Sequence, residues 1–105
     1  MDKFAALSDP NRRRIVELLA SQGRLTSGAI SSYFHISAPA VSQHLKVLRE
    51  AEILRVEKRA QQRIYSLNPD GVDEMWEWLG RLRGFWNTKF NALEEFLAEE
   101  EKNDP

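Results

Sequence analysis

Cysteine is absent from this 105-residue chain, which excludes disulfides, thiolate metal sites and thiol redox sensing. Only two histidines are present, His35 and His44, too few to build a zinc site without carboxylate help. No apolar run approaches the ~20 residues of a membrane span. Met1-Asp2-Lys3 leads straight into a helix rather than a secretory leader, so a cytoplasmic protein with no membrane partner is expected. Glycine and proline are sparse, at five and four residues, and they form no linker, repeat or low-complexity segment. No nucleophile–base pair, phosphate-cradling glycine loop or metal set stands out, so no catalytic role and no cofactor is expected.

What is present is ordinary for one globular domain over residues 1–105: 42% hydrophobic residues and 30% charged ones. The net charge of −1 conceals an asymmetry. Residues 1–68 carry eleven Lys/Arg against six Asp/Glu, whereas residues 69–105 carry four against ten. A polyanion-binding surface needs local positive charge and tolerates acid elsewhere.

The stretch Ser37 to Ala51 (SAPAVSQHLKVLREA) organises the rest. The Ser37 hydroxyl can cap a helix, and Pro39 near its start loses little by lacking an N–H. Val41, Leu45 and Leu48 share one face, leaving Pro39, Ser42, Gln43, Lys46, Arg49 and Glu50 on the other. That outer face is short, polar and mostly non-acidic, as a helix lying in a major groove requires, although a solvated surface helix would look similar.

Upstream, Phe4 and Leu7 lie on one side of a short helix. Asp9-Pro10 restarts a helix that runs to about Ser21, with Gly23 as its stop. Arg12, Arg13 and Arg14 crowd its first turns against the helix dipole, so carboxylate or phosphate partners are expected there. Thr26 should cap a third helix reaching Phe34, and His35-Ile36 turns into the Ser37 helix, giving a helix-turn-helix. From Ile53 to Arg59 the pattern alternates, and Arg63 to Leu67 forms a second β-rich run, joined through a tip at Ala60-Gln61-Gln62. Lys58, Arg59 and Arg63 make that hairpin basic, so it could lie along a DNA backbone or in a minor groove.

Asn68-Pro69-Asp70 opens a long final helix over residues 70–98, followed by an acidic tail at 99–105. Met75, Leu79, Leu82, Trp86, Phe90, Leu93 and Leu97 recur at steps of three and four, with Trp78, Phe85 and Phe96 beside them. So broad an apolar surface exceeds what a small core can cover. A homodimer is expected, held by Phe4, Leu7, Trp78, Leu82, Phe85, Trp86, Phe90 and Leu93.

Leu7 to Pro10 with Arg12 to Ile15 (LSDPNRRRI), Pro39 to Arg49 (PAVSQHLKVLR), Val56 to Arg59 and Ile64 to Leu67 together resemble the ArsR/SmtB family of winged-helix transcriptional repressors. The resemblance implies a mostly α fold with a small β-hairpin, in the order α-α-α-α-β-β-α, dimerising through the first and last helices. It also implies double-stranded DNA as partner, an operator released when an effector binds, and DNA contacts from Ser37, Pro39, Ser42, Gln43, His44, Lys46, Arg49, Lys58, Arg59 and Arg63. His44 sits on the flank of the helical wheel, where packing or one phosphate contact suits it better than base reading.

The chain departs from that pattern in three places. Metal-sensing branches carry Cys pairs or Asp/His sets, but Thr26 to Tyr33 (TSGAISSY) has no ligand pair and residues 70–105 have no His, so no metal site is expected. Glu52 stands where relatives have Gly after the recognition helix, which implies strain or a shifted helix end. Ala60 replaces a common wing-tip Gly, implying a turn longer than two residues. The effector is left open. The alternative function is a winged-helix protein–protein interaction module that uses the aromatic last helix.

Overall fold

Side-chain caps set the helix starts in the computed structural model, which describes residues 1–103. Asp2 accepts from the Ala5 amide at 2.8 Å and opens α1 (Lys3–Ala6). Asp9 accepts from the Asn11 and Arg12 amides at 2.8 and 3.1 Å, ahead of α2 (Pro10–Gln22), which Gly23 ends at φ 83°. Thr26 caps α3 (Ser27–Ser31), and Ser37 caps α4 (Ala38–Glu50) by accepting from Ala40 at 3.2 Å. Asn68 Oδ1 accepts from the Asp70 amide at 3.2 Å where α5 (Pro69–Asn103) begins. Each cap satisfies amides that the first helical turn leaves without a partner.

Three antiparallel strands complete the chain: β1 (Arg24–Thr26), β2 (Leu54–Arg59) and β3 (Gln62–Leu67), in the order β1-β3-β2. The element order is therefore α1-α2-β1-α3-α4-β2-β3-α5. The expected order lacked β1, a three-residue strand that forms because its residues Arg24, Leu25 and Thr26 pair with Ser66, Tyr65 and Ile64. Its sequence is too short to show alternation. α3 also ends earlier than expected: Tyr33 and Phe34 close separate turns onto the Ile30 and Ser31 carbonyls, and Phe34 is buried.

The hairpin tip corrects a second expectation. Arg59 pairs with Gln62, so the loop is the two residues Ala60-Gln61 and no longer. Ala60 takes φ 54°. A positive φ at the first central position alone is the pattern of a type II′ turn, which matches the right-handed twist of the strands and ordinarily uses Gly.

The chain packs as two units, Met1–Asp73 and a second from Glu74 onward. In the first, Ile15 and Leu19 of α2, Ile30 of α3, and Val41, Leu45 and Leu48 of α4 are buried with Ile53, Leu54 and Tyr65 of the sheet region. Burying each large aliphatic side chain is worth about 1.5–3 kcal/mol. Three such anchors on α4 fix its roll and with it the residues it turns outward.

α4 ends in a Schellman arrangement. The Ile53 amide donates to Leu48 O and the Glu52 amide to Arg49 O, both at 3.0 Å, with Glu52 at φ 63°. The helix end has not moved; Glu52 accepts the left-handed conformation. Gly71, in the first turn of α5, lies so close that a Cβ there would sit 1.9 Å from the Glu52 carbonyl oxygen.

The second unit is the remainder of α5. Among its side chains, Trp76, Trp78, Leu79, Leu82, Phe85, Trp86, Phe90, Leu93, Phe96 and Leu97 are exposed in the single chain. The helix continues past residue 98 to Asn103, so the tail expected at 99–105 is helical as far as it is described; Asp104 and Pro105 lie outside the described residues. No helix among the described residues is long and apolar enough to cross a membrane.

Candidate nucleic-acid interface

With Val41, Leu45 and Leu48 inward, α4 turns Pro39, Ser42, Gln43, Lys46 and Arg49 to solvent, and the cap Ser37 is exposed beside them. An open groove runs between this row and β3. Its walls are Ser42, Gln43, Lys46 and Arg49 on one side and Arg63 and Tyr65 on the other. Among the described residues, Lys46, Arg49, Lys58 and Arg63 make no side-chain hydrogen bond or ion pair.

His44 leaves this row. Its ring is turned toward the start of α2, with a side-chain exposure of 18%. Nδ1 lies 4.0 Å from Asp9 Oδ1 and 3.4 Å from Arg12 Nη1. The ring thus ties α4 to the N-cap of α2 and is withdrawn from the exposed face on which Gln43 and Lys46 stand. Asp9 holds its carboxyl below the usual range, chiefly through the Arg12 amide hydrogen bond, opposed by partial burial and aided by the Asn11 amide, His44 and the Arg12 charge.

The three consecutive arginines of α2 all have intramolecular partners, though not the expected carboxylates. Arg12 Nε donates to Ala6 O at 2.6 Å, and Arg13 Nη1 donates to Leu7 O and Ser8 O at 2.8 and 3.1 Å. These carbonyls lie at the end of α1 and just beyond it, where the helix dipole and the missing amides favour a cation. Arg14 lies over the Phe34 ring, 4.8 Å from its centroid.

Register divides the wing's charges between two faces. Lys58 stands directly opposite Arg63 and shares a face with Val56, Tyr65, Leu54 and Leu67, the side on which the sheet is buried. Arg55, Glu57 and Arg59 lie on the other face with Arg24 of β1. There, Arg59 Nε donates to Glu57 Oε1 at 3.2 Å, and the Arg24 guanidinium pairs with Glu57 Oε2. Glu57 holds its proton less readily than an ordinary carboxyl, first because of the Arg59 hydrogen bond and charge. Arg55 Nε is 3.4 Å from Ser66 Oγ.

The structure therefore brings Ser42, Gln43, Lys46, Arg49 and Arg63 to one groove, sets Lys58 beside Arg63, and places Arg59 on the opposite face. Sequence reasoning missed Ser27 and Tyr65, which also line the groove, and the Arg24–Glu57 pair. Tyr65 had a visible signal, its alternation with Arg63; Arg24 had none, being 33 residues from Glu57. Of the residues expected at a dimer contact, Phe4, Trp78, Leu82, Phe85, Trp86, Phe90 and Leu93 are exposed in the single chain, and Leu7 is half-buried. Among the described residues, no three His, Asp or Glu side chains gather as a metal site would need.

Residues 9–56, from the cap of α2 into β2, match the sequence pattern described as bacterial regulatory protein, arsR family. The chain is 40% identical over 76 residues to the transcriptional repressor SdpR of Bacillus subtilis, covering 72% of this chain and 83% of that protein. It is 37% identical over 97 residues to an HTH-type transcriptional regulator of Mycobacterium tuberculosis, covering 92% and 87% respectively. A solved structure titled as a possible transcriptional regulator for arsenical resistance matches with a TM-score of 0.65 and 33% identity, over 94% of this chain and 96% of that one. That of an ArsR family transcriptional regulator matches with a TM-score of 0.71 and 25% identity, over 80% and 86%.

Proposed function

The chain belongs to the arsR family of bacterial regulatory proteins and is a DNA-binding transcriptional repressor; we propose that it acts as a twofold dimer occluding a promoter, without a metal-sensing site. The observation that carries this reading is one groove walled by Ser42, Gln43, Lys46 and Arg49 of α4 and by Arg63 of the wing, with no partner on its cations among the described residues. A buried or internally paired set could not meet phosphate; this one is open to it.

In this account, residues 1–105 act as a single winged-helix DNA-binding domain with α5 as its dimerisation helix, working on DNA in the cytoplasm. α4 enters the major groove. Gln43 has the paired donor and acceptor that match an adenine edge, and Lys46 reaches a guanine or a phosphate. Ser37, Pro39, Ser42 and Arg49 seat the helix on the backbone, while Lys58 and Arg63 hold the wing against the flanking strand. A second copy repeats these contacts at a pseudo-palindromic half-site about one helical turn or more away. Phe4, Leu7 and the α5 residues Trp78, Leu82, Phe85, Trp86, Phe90 and Leu93 join the copies; the exposure of the α5 residues in one chain supports this, since so large an apolar stripe along one helix is rarely left in water. Metal independence is supported by the absence of cysteine and by the lack of any ligand pair between Thr26 and Tyr33.

Selection of bound duplexes from a random pool, followed by a salt titration on the winner, tests the reading. Each neutralised phosphate contributes about −0.9 to the slope of log affinity against log salt. A selected consensus with a steep slope is the expected result. No enriched sequence, or salt-insensitive binding, would favour the alternative in which the aromatic helix serves a protein partner.

A further inference from the structure

Residues 53–68 contain four cations, Arg55, Lys58, Arg59 and Arg63, and a single acid, Glu57. That one carboxylate engages two arginines at once: Arg59 of its own strand at 3.2 Å through Oε1, and Arg24 of β1 through Oε2. Arg24 faces Ser66 and Glu57 faces Ile64, so the link runs diagonally across β3. Arg59 borders the Ala60-Gln61 turn, and its side chain remains 65% exposed. It is thus a tip cation on the outer face of the hairpin, with one carboxylate charge that it shares with Arg24.

We infer that Glu57 is a positioning residue that withholds Arg59 from DNA, leaving Lys58 and Arg63 as the wing's phosphate contacts. The inference rests on the reading of the hairpin as a DNA-contacting wing. Its physical basis is that a cation already paired with a carboxylate must lose that partner before it can displace counterions from a phosphate. Register already sets the carboxylate on the outer face, and Arg24 engages its second oxygen from the far strand, so both oxygens are held. Exposed ion pairs are weak, so removing Glu57 should change affinity modestly while changing the salt response clearly.

The test is a salt titration on the selected duplex with E57Q, R59A, the double variant and R63A. E57Q is expected to tighten binding roughly two- to five-fold at low salt and to steepen the salt slope by about 0.9. R59A alone should change neither much, and the double variant should behave as R59A, because the gain passes through Arg59. If E57Q leaves affinity and slope unchanged while R63A weakens binding, the role given to Glu57 is overturned and the wing reading stands. If both are inert, the wing reading itself fails and this inference falls with it. R59A weakening binding as much as R63A would overturn the inference independently of E57Q.

Discussion

Lys58 and Arg63 stand directly opposite each other on adjacent strands, two cations on one face of the wing with no ion-pair partner among the described residues. Like charges in that register destabilise a hairpin by a few tenths of a kcal/mol up to about 1. An anion placed between them would reverse the sign. Either K58A or R63A should therefore lower affinity for all duplexes alike and reduce the salt slope by about 1, while leaving the free protein as stable as before or slightly more so. Fluorescence anisotropy against salt and a thermal melt of the unbound protein check both halves.

Gln43 should behave differently. A bidentate contact to a base edge is worth about 1–3 kcal/mol of discrimination, whereas a phosphate contact carries none. Q43A is expected to flatten base preference at one position of each half-site with little change in salt slope. Comparing selected consensus sequences for the wild type and Q43A measures this; an unchanged consensus with uniformly weaker binding would mean that Gln43 contacts backbone.

The helix starts and the roll of α4 were legible because their signals are local: a capping oxygen, a proline one or two residues on, and Val41, Leu45 and Leu48 at helical steps. The wing was legible as a hairpin for the same reason. Which side each wing cation takes was not, because strand side chains alternate and a one-residue change in register exchanges the faces. Arg59 and Lys58 look equivalent in sequence and lie on opposite faces in the structure. β1 was invisible because three residues carry no period; it exists through its pairing with β3. The partners of Arg12 and Arg13 were missed because they are main-chain carbonyls, which leave no mark in the sequence.

Glu52 and Gly71 make a second coupled pair, with opposite expectations. A Cβ at position 71 would overlap the Glu52 carbonyl at 1.9 Å, so G71A must push the first turn of α5 off the end of α4. Overpacking of that kind costs about 1–3 kcal/mol. Conversely, E52G relieves a left-handed residue at φ 63° and should stabilise by up to about 1 kcal/mol. Urea unfolding of the two variants gives the signs directly.

Asp9 predicts a pH dependence. Its carboxyl is held below the usual range by the Arg12 amide, so the folded state binds that proton less readily than the unfolded chain. The stabilisation is complete above the ordinary carboxylate range and is lost as pH falls through the depressed value. D9A should thus cost about 1 kcal/mol near neutrality, a typical cap loss, and the gap to wild type should close as pH drops below about 4. Denaturation midpoints at several pH values test it; a gap that stays constant into acid would contradict the cap assignment.

Hydroxyl-radical footprinting on the selected duplex bears most directly on whether paired copies grip one double helix with their α4 faces and wings. The expected pattern is two equivalent protected patches on one side of the duplex, centred about 10 base pairs or a multiple of that apart, each flanked by weaker wing protection that R63A removes. A single patch without a symmetric mate, or protection that R63A leaves intact, would contradict the account.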